Sequence, residues 1–147
     1  MRRFIEIVIL SCAVGCGAVP AGIKATAAAD TYRLKTVDGS ALPAHTDKSG
    51  SRLVVSGSLT LQPDGFFVLA ESDSVWNGLK SVPKQWSEGG TWAVDGSMLT
   101  LTDTAADATD TYGPQSSLYF GSIASQRVFL RLPAEDGSAS HAYWYEH

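Results

Sequence analysis

The stretch GSLTLQPDGFFVLA, residues 57–70, decides how this chain folds. Leu59 and Leu61 alternate with Ser58 and Thr60. That period of two suits a strand with one buried face. Asp64-Gly65 interrupts the pattern, and both residues tolerate the positive φ of a tight hairpin turn. Residues 66–70 (FFVLA) resume as a strand that is apolar on both faces. The unit reads strand, turn, strand.

The same grammar extends in both directions. Residues 53–61 place Leu53, Val55, Gly57, Leu59 and Leu61 on one face, and residues 31–37 (TYRLKTV) place Tyr32, Leu34 and Thr36 together. Strand patterns follow at 90–94 (GTWAV), 97–102 (SMLTLT), 117–123 (SLYFGSI), 127–132 (RVFLRL) and 141–145 (HAYWY). Asp-Gly recurs at 38–39, 95–96 and 136–137, and residues 124–126 make another short connection. From Asp30 onward, no window longer than ten residues reads as an amphipathic helix. Antiparallel hairpins in chain order form a meander, whose edges are hidden by closing the sheet or stacking two sheets. The short turns favour an all-β, antiparallel up-and-down barrel of about eight strands, with a β-sandwich as the alternative. Residues 42–50, 72–88 and 102–115 are longer and polar. The second of these is either an extended hairpin or a lid over one barrel end.

The order of these features resembles the small bacterial lipocalin-like domains. The likeness lies in the opening Tyr32-x-Leu34, Gly39 followed by Leu42-Pro43, the Gly57 to Phe67 hairpin, the Gly90 to Leu101 hairpin and the closing Tyr143-Trp144-Tyr145. It covers nearly all of the chain after the leader. It implies a secreted or lipid-anchored eight-stranded barrel and carries over no catalytic residue. The 72–88 insertion departs from it.

Residues 1–29 read as a leader rather than as part of the 30–147 domain. Met1-Arg2-Arg3 is basic, residues 4–10 are apolar but for Glu6, and residues 11–29 are small. These are the parts of a secretory signal peptide, with Ala25-Thr26-Ala27 and Ala27-Ala28-Ala29 as cleavage sites. Ala13-Val14-Gly15-Cys16 offers a lipobox reading, with Cys16 lipidated and the residues after it a flexible tether; Cys12 is a weaker match. A membrane span is disfavoured by Glu6 and Pro20. The expected location is periplasmic or extracellular, or the cell envelope if Cys16 is the anchor.

The whole chain has 147 residues and a formal charge of −4. The 30–147 part holds eight basic and 14 acidic residues, a net of −6, which repels phosphate backbones and argues against nucleic acid. Both cysteines, Cys12 and Cys16, lie in the leader, so the domain has no disulfide, thiol nucleophile or cysteine-ligated metal.

Catalytic and metal patterns are weak. His45, His141 and His147 are spread apart, and no Gly-x-Ser-x-Gly elbow accompanies them. His141 and His147 on one strand lie about 20 Å apart at ~3.3 Å per residue, too far to share an ion. Asp103, Asp107 and Asp110 lack the calcium-loop spacing, and Glu71, Asp73 and Glu88 flank a tryptophan-bearing stretch without a defined pairing. The aromatics stand out. Trp92 and Trp144 sit in regular strands and read as core or barrel wall, whereas Trp76 and Trp86 lie in polar sequence and need covering by a loop, a ligand or a partner.

Leu59, Leu61, Phe67, Leu69, Trp92, Leu99 and Leu101 would nearly fill a small barrel, which leaves a pocket only at its mouth. The expected function is binding of a small apolar or amphipathic ligand there. Trp76, Trp86, Phe67, Leu69 and Trp92 are its candidate residues, with no enzyme activity, cofactor or metal. The alternative is a protein-interaction module of the cell envelope, such as a protease inhibitor or assembly accessory. A monomer is expected, attached to a membrane only through a modified Cys16.

Overall fold

The turn at Asp64-Gly65 forms as expected. Gly65 adopts φ +89°, and the flanking residues form β4 (Arg52–Leu61) and β5 (Phe66–Trp76), antiparallel with Leu61 opposite Phe67. In this computed structural model residues 25–47, 49–103, 117–133 and 140–147 are described. Residues 1–24 with Cys12 and Cys16, and also Asp107, Asp110 and the expected turn at Asp136-Gly137, lie outside them.

The remaining elements are a helical turn (Ala25–Ala28), β1 (Thr31–Val37), β2 (Ser40–Ala41), β3 (Ala44–His45), β6 (Ser81–Asp95), β7 (Met98–Asp103), β8 (Leu118–Ala124), β9 (Arg127–Pro133) and β10 (Ser140–Glu146). Each strand from β4 to β10 pairs antiparallel with the next, and β10 pairs with β1. The ring closes where β1 meets β4, Thr31 opposite Thr60 and Arg33 opposite Ser58. The result is a closed eight-stranded antiparallel barrel, with β2 and β3 outside the ring. Closure removes the edges that a sandwich would leave exposed.

Leu59, Leu61, Phe67, Leu69, Leu99, Leu101, Val128 and Leu130 fill the interior, each at most 1% exposed. Trp92 joins them and donates its indole N–H to the Gln62 carbonyl at 2.9 Å. Ala28 packs in the same core, and its carbonyl accepts the Tyr32 hydroxyl at 2.9 Å.

Two expectations need correction, each because a register slip breaks simple alternation. On β4 the register slips between Val54 and Ser56, so Val54 is buried and Val55 is 47% exposed. Leu53 and Val55 therefore do not continue the face of Gly57, Leu59 and Leu61. On β1 a slip between Leu34 and Thr36 buries Val37, with Thr36 left half-buried. A single extra residue is enough to swap faces. Trp144 lies on the outer wall, its ring 4.9 Å from that of Phe129. Residues 72–88 form the extended hairpin rather than a lid, with Trp76 paired to Ser81 across its end.

Candidate functional site

The inward face of β5 reads Phe67, Leu69, Glu71, Asp73, and all four are buried. Period two carries the chain from apolar to acidic residues without leaving the barrel interior. Across the hairpin Trp86 pairs with Glu71, and Glu88 pairs with Leu69. One end of the interior is therefore lined with leucines and the other with carboxylates.

Arg52, at the start of β4, spans this polar end. Its Nη2 donates to Glu71 Oε1 at 2.6 Å and its Nε donates to Asp73 Oδ2 at 2.7 Å. The Asp47 carboxylate fixes that strand start by accepting the Ser51 and Arg52 backbone N–H groups, both at 3.0 Å. Serine hydroxyls on the same carboxylate hold its pKa well below the usual range.

Trp86 is half-buried and donates its indole N–H to Glu71 Oε1 at 3.2 Å. The Tyr119 hydroxyl donates to Glu88 Oε2 at 2.8 Å. Asp73 Oδ1 is buried and accepts no hydrogen bond.

One guanidinium faces two carboxyls whose side chains are only 2% and 1% exposed. Burial, and then the neighbouring Asp73 carboxylate, push the Glu71 pKa up to about 8 against the opposing pull of Arg52. A proton held by the pair relieves a second buried charge. Burial also raises Glu88, with Asp103 adding to the effect and the Tyr119 bond opposing it. Tyr143 and Tyr145, on the facing β10, are raised by burial and by Glu71.

A sign follows for stability. Unfolded Glu71 titrates near its ordinary 4.5, while the folded group holds its proton to about 8. Between those values the native state binds the extra proton, so stability falls as pH rises. Urea unfolding at pH 5 and pH 8 should show a loss on the order of 2–4 kcal/mol across that window. Glu71→Gln, which keeps a neutral head group throughout, should remove at least half of that loss. A pH dependence identical to wild type would contradict the assignment.

A concavity lies at the seam of the barrel, beside the polar end. β1 and β4 pair only from Thr31 to Arg33, and Gly57 and Ser56 lie beyond that contact. A concavity of about 700 Å³ opens there, lined by Arg33, Ser56, Gly57, Ser58, Ala70, Ser72, Gln85 and Ser87 around Glu71 and Trp86. Gly57 lacks the side chain that would press on Leu34.

The candidate aromatics separate. Trp86 faces the seam concavity, and Phe67, Leu69 and Trp92 pack in the core. Trp76 is half-exposed on the opposite face of the β5–β6 hairpin, roughly 16 Å along β5 from Glu71 at ~3.3 Å per residue. Trp76 and Trp86 thus do not share a mouth. Sequence reasoning missed Arg52 and the paired role of Glu71 and Asp73. Continuing the Phe67-Leu69 alternation by two more steps would have found the carboxyls. The histidines stay apart: His141 Nδ1 lies 2.6 Å from Asp38 Oδ2, and His147 Nε2 lies 2.9 Å from Asp30 Oδ2. Among the described residues no cluster of three metal-ligating side chains occurs. Comparison of the chain with family models, curated proteins and solved structures finds no match.

Proposed function

We propose that this protein is an exported, lipocalin-like binding barrel that takes a small amphipathic molecule in the seam concavity. The apolar part of the ligand lies against Trp86 and Ala70. Its head group, rich in hydroxyl or amine donors, meets the serine hydroxyls and the Glu71 carboxyl. The observation that carries this reading is the concavity itself, whose lining sets Trp86 and Glu71 among Ser56, Ser58, Ser72 and Ser87. Such a lining offers an aromatic surface beside several polar groups, the mix that fixes an amphipathic ligand. The reading needs no catalytic step, cofactor or metal.

The test uses n-octyl glucoside below its micelle concentration as an amphipathic probe. Wild-type protein should show a saturable rise in Tm and a change in tryptophan emission, since a ligand that binds only the folded state stabilises it. Trp86→Ala and Ser72→Trp, the second filling the concavity from its outer rim, should abolish both. Equal responses in all three proteins would contradict the site.

A second reading, a protein-interaction module, has one observation in its favour. Met98, Phe120 and Trp144, 52%, 55% and 43% exposed, lie on neighbouring outer strands with Phe129 between them. Surface apolar groups gathered in this way mark contact sites more often than single ones do.

A further inference from the structure

We infer that the tip of the β5–β6 hairpin is an insertion point for an anionic lipid surface. The tip is apolar on both faces. Trp76 lies on one face, Val75 and Val82 pair on the other, and Leu79 stands at the apex. Trp76 is 50% exposed, Val82 36% and Leu79 87%. A protein partner resting on a sheet covers one face. Apolar groups on both faces and at the apex fit immersion of the whole tip.

The turn is built for a medium poor in water. Asn77 N–H donates to the Lys80 carbonyl at 3.1 Å, and Asn77 Oδ1 accepts the N–H groups of Leu79 at 3.1 Å and Lys80 at 3.0 Å. Three backbone donors of the turn are therefore satisfied internally, which removes much of the cost of leaving water. The same bonds hold the turn, with Gly78 at φ +93°, so that Leu79 stays pointed outward.

Charge selects the surface. Residues 74–87 contain Lys80 and Lys84 and no carboxylate, although the whole chain is net acidic. Neither lysine is ion-paired among the described residues. Lysine stems run along apolar surface while their ammonium groups stay at the headgroup level. Tryptophan favours that same interfacial layer. Immersion is shallow, as for an interfacial anchor, and it stands apart from the seam concavity and its ligand.

Co-sedimentation of the full chain with phosphatidylcholine vesicles, and with vesicles of phosphatidylcholine and phosphatidylglycerol at 7:3, tests the inference. Every variant carries the same leader, so differences between variants report the hairpin. Wild type should prefer the anionic vesicles. K80Q/K84Q should lower the partition coefficient by about 30-fold, from ~1 kcal/mol per lysine near an anionic surface. W76S/L79S should weaken binding to both compositions, with Tm unchanged because both side chains are exposed. Three results would overturn the inference: no vesicle binding, no anionic preference, or variants that bind as wild type does. Capture of an acidic protein through the hairpin without vesicle binding would overturn it as well.

Discussion

Arg52→Met should lower the unfolding free energy by ~3–5 kcal/mol at pH 7, because it strips the counter-charge from a buried carboxylate. The guanidinium reaches Glu71 at 2.6 Å and Asp73 at 2.7 Å, and both carboxyl side chains are almost fully buried. Glu71, with its pKa pushed to about 8, is largely neutral at that pH. The charge left stranded is that of Asp73. Coulombic attraction at such distances, in a medium that water does not screen, is what holds the charge inside the barrel. Its loss should open the polar end to water.

Two controls separate this cause from simple loss of packing. The deficit should be smaller for Arg52→Lys, which keeps a positive charge at the site but loses the planar fork. Asp73→Leu in the Arg52→Met background should recover at least half of the loss, since whole buried ion pairs can be replaced by apolar groups at little cost. Urea denaturation at pH 7 reads both effects. A loss under about 1 kcal/mol, typical of an exposed pair, would show that water reaches the site.

Gly121→Ala should be, with Gly90→Ala, one of the two most damaging methyl additions at the barrel's glycines. A Cβ at Gly121 would fall inside the van der Waals shell of the Phe129 carbonyl oxygen on β9 and crowd the Leu130 side chain. Gly121 pairs with Leu99 on one side and with Leu130 on the other, so neither neighbour can move without opening a ladder. Overpacking of a rigid site commonly costs ~1–3 kcal/mol, and contact with backbone on a closed ring pushes the value to the upper end or beyond. Gly90 is equally tight against the Thr102 carbonyl on β7, which places the two close approaches on alternate strands. Gly89→Ala meets only the Phe67 carbonyl at 3.3 Å and serves as the mild comparison. Similar stabilities for Gly121→Ala and Gly89→Ala would mean that the β8–β9 pairing is looser than described.

The hairpin grammar was legible because it is local. Asp64-Gly65, Asp95-Gly96 and the alternation of Leu59, Leu61, Leu99 and Leu101 each report on a few adjacent residues, and ring closure is favoured once nearly every turn is short. The slips at Val54/Ser56 and Leu34/Thr36 were not legible. A bulge is a property of two strands in register, and nothing in residues 53–61 alone marks where the extra residue goes. Trp144 and Trp92 look alike in sequence and differ only in which side of the wall their strand parity puts them.

The candidate site was half legible. Trp86 is conspicuous as an aromatic in polar sequence. Its partner Glu71 looked like an exposed strand-end acid, since acids on strands usually face water. Arg52 is 19 residues from Glu71 in the chain and reaches it only because β4 and β5 pair antiparallel. Which strand ends where along its neighbour decides that contact, and that is a tertiary fact.

The central claim is that the seam concavity around Trp86 and Glu71 holds a small molecule. Native mass spectrometry of the full chain, expressed in a bacterium with residues 1–29 intact, tests it most directly, alongside Ser72→Trp prepared in the same way. The account predicts a reproducible adduct of a few hundred daltons on the wild-type protein, lost from Ser72→Trp while the charge-state distribution stays that of a folded domain. An adduct carried equally by both proteins, or a clean unliganded mass for wild type under conditions that preserve added n-octyl glucoside, would contradict it.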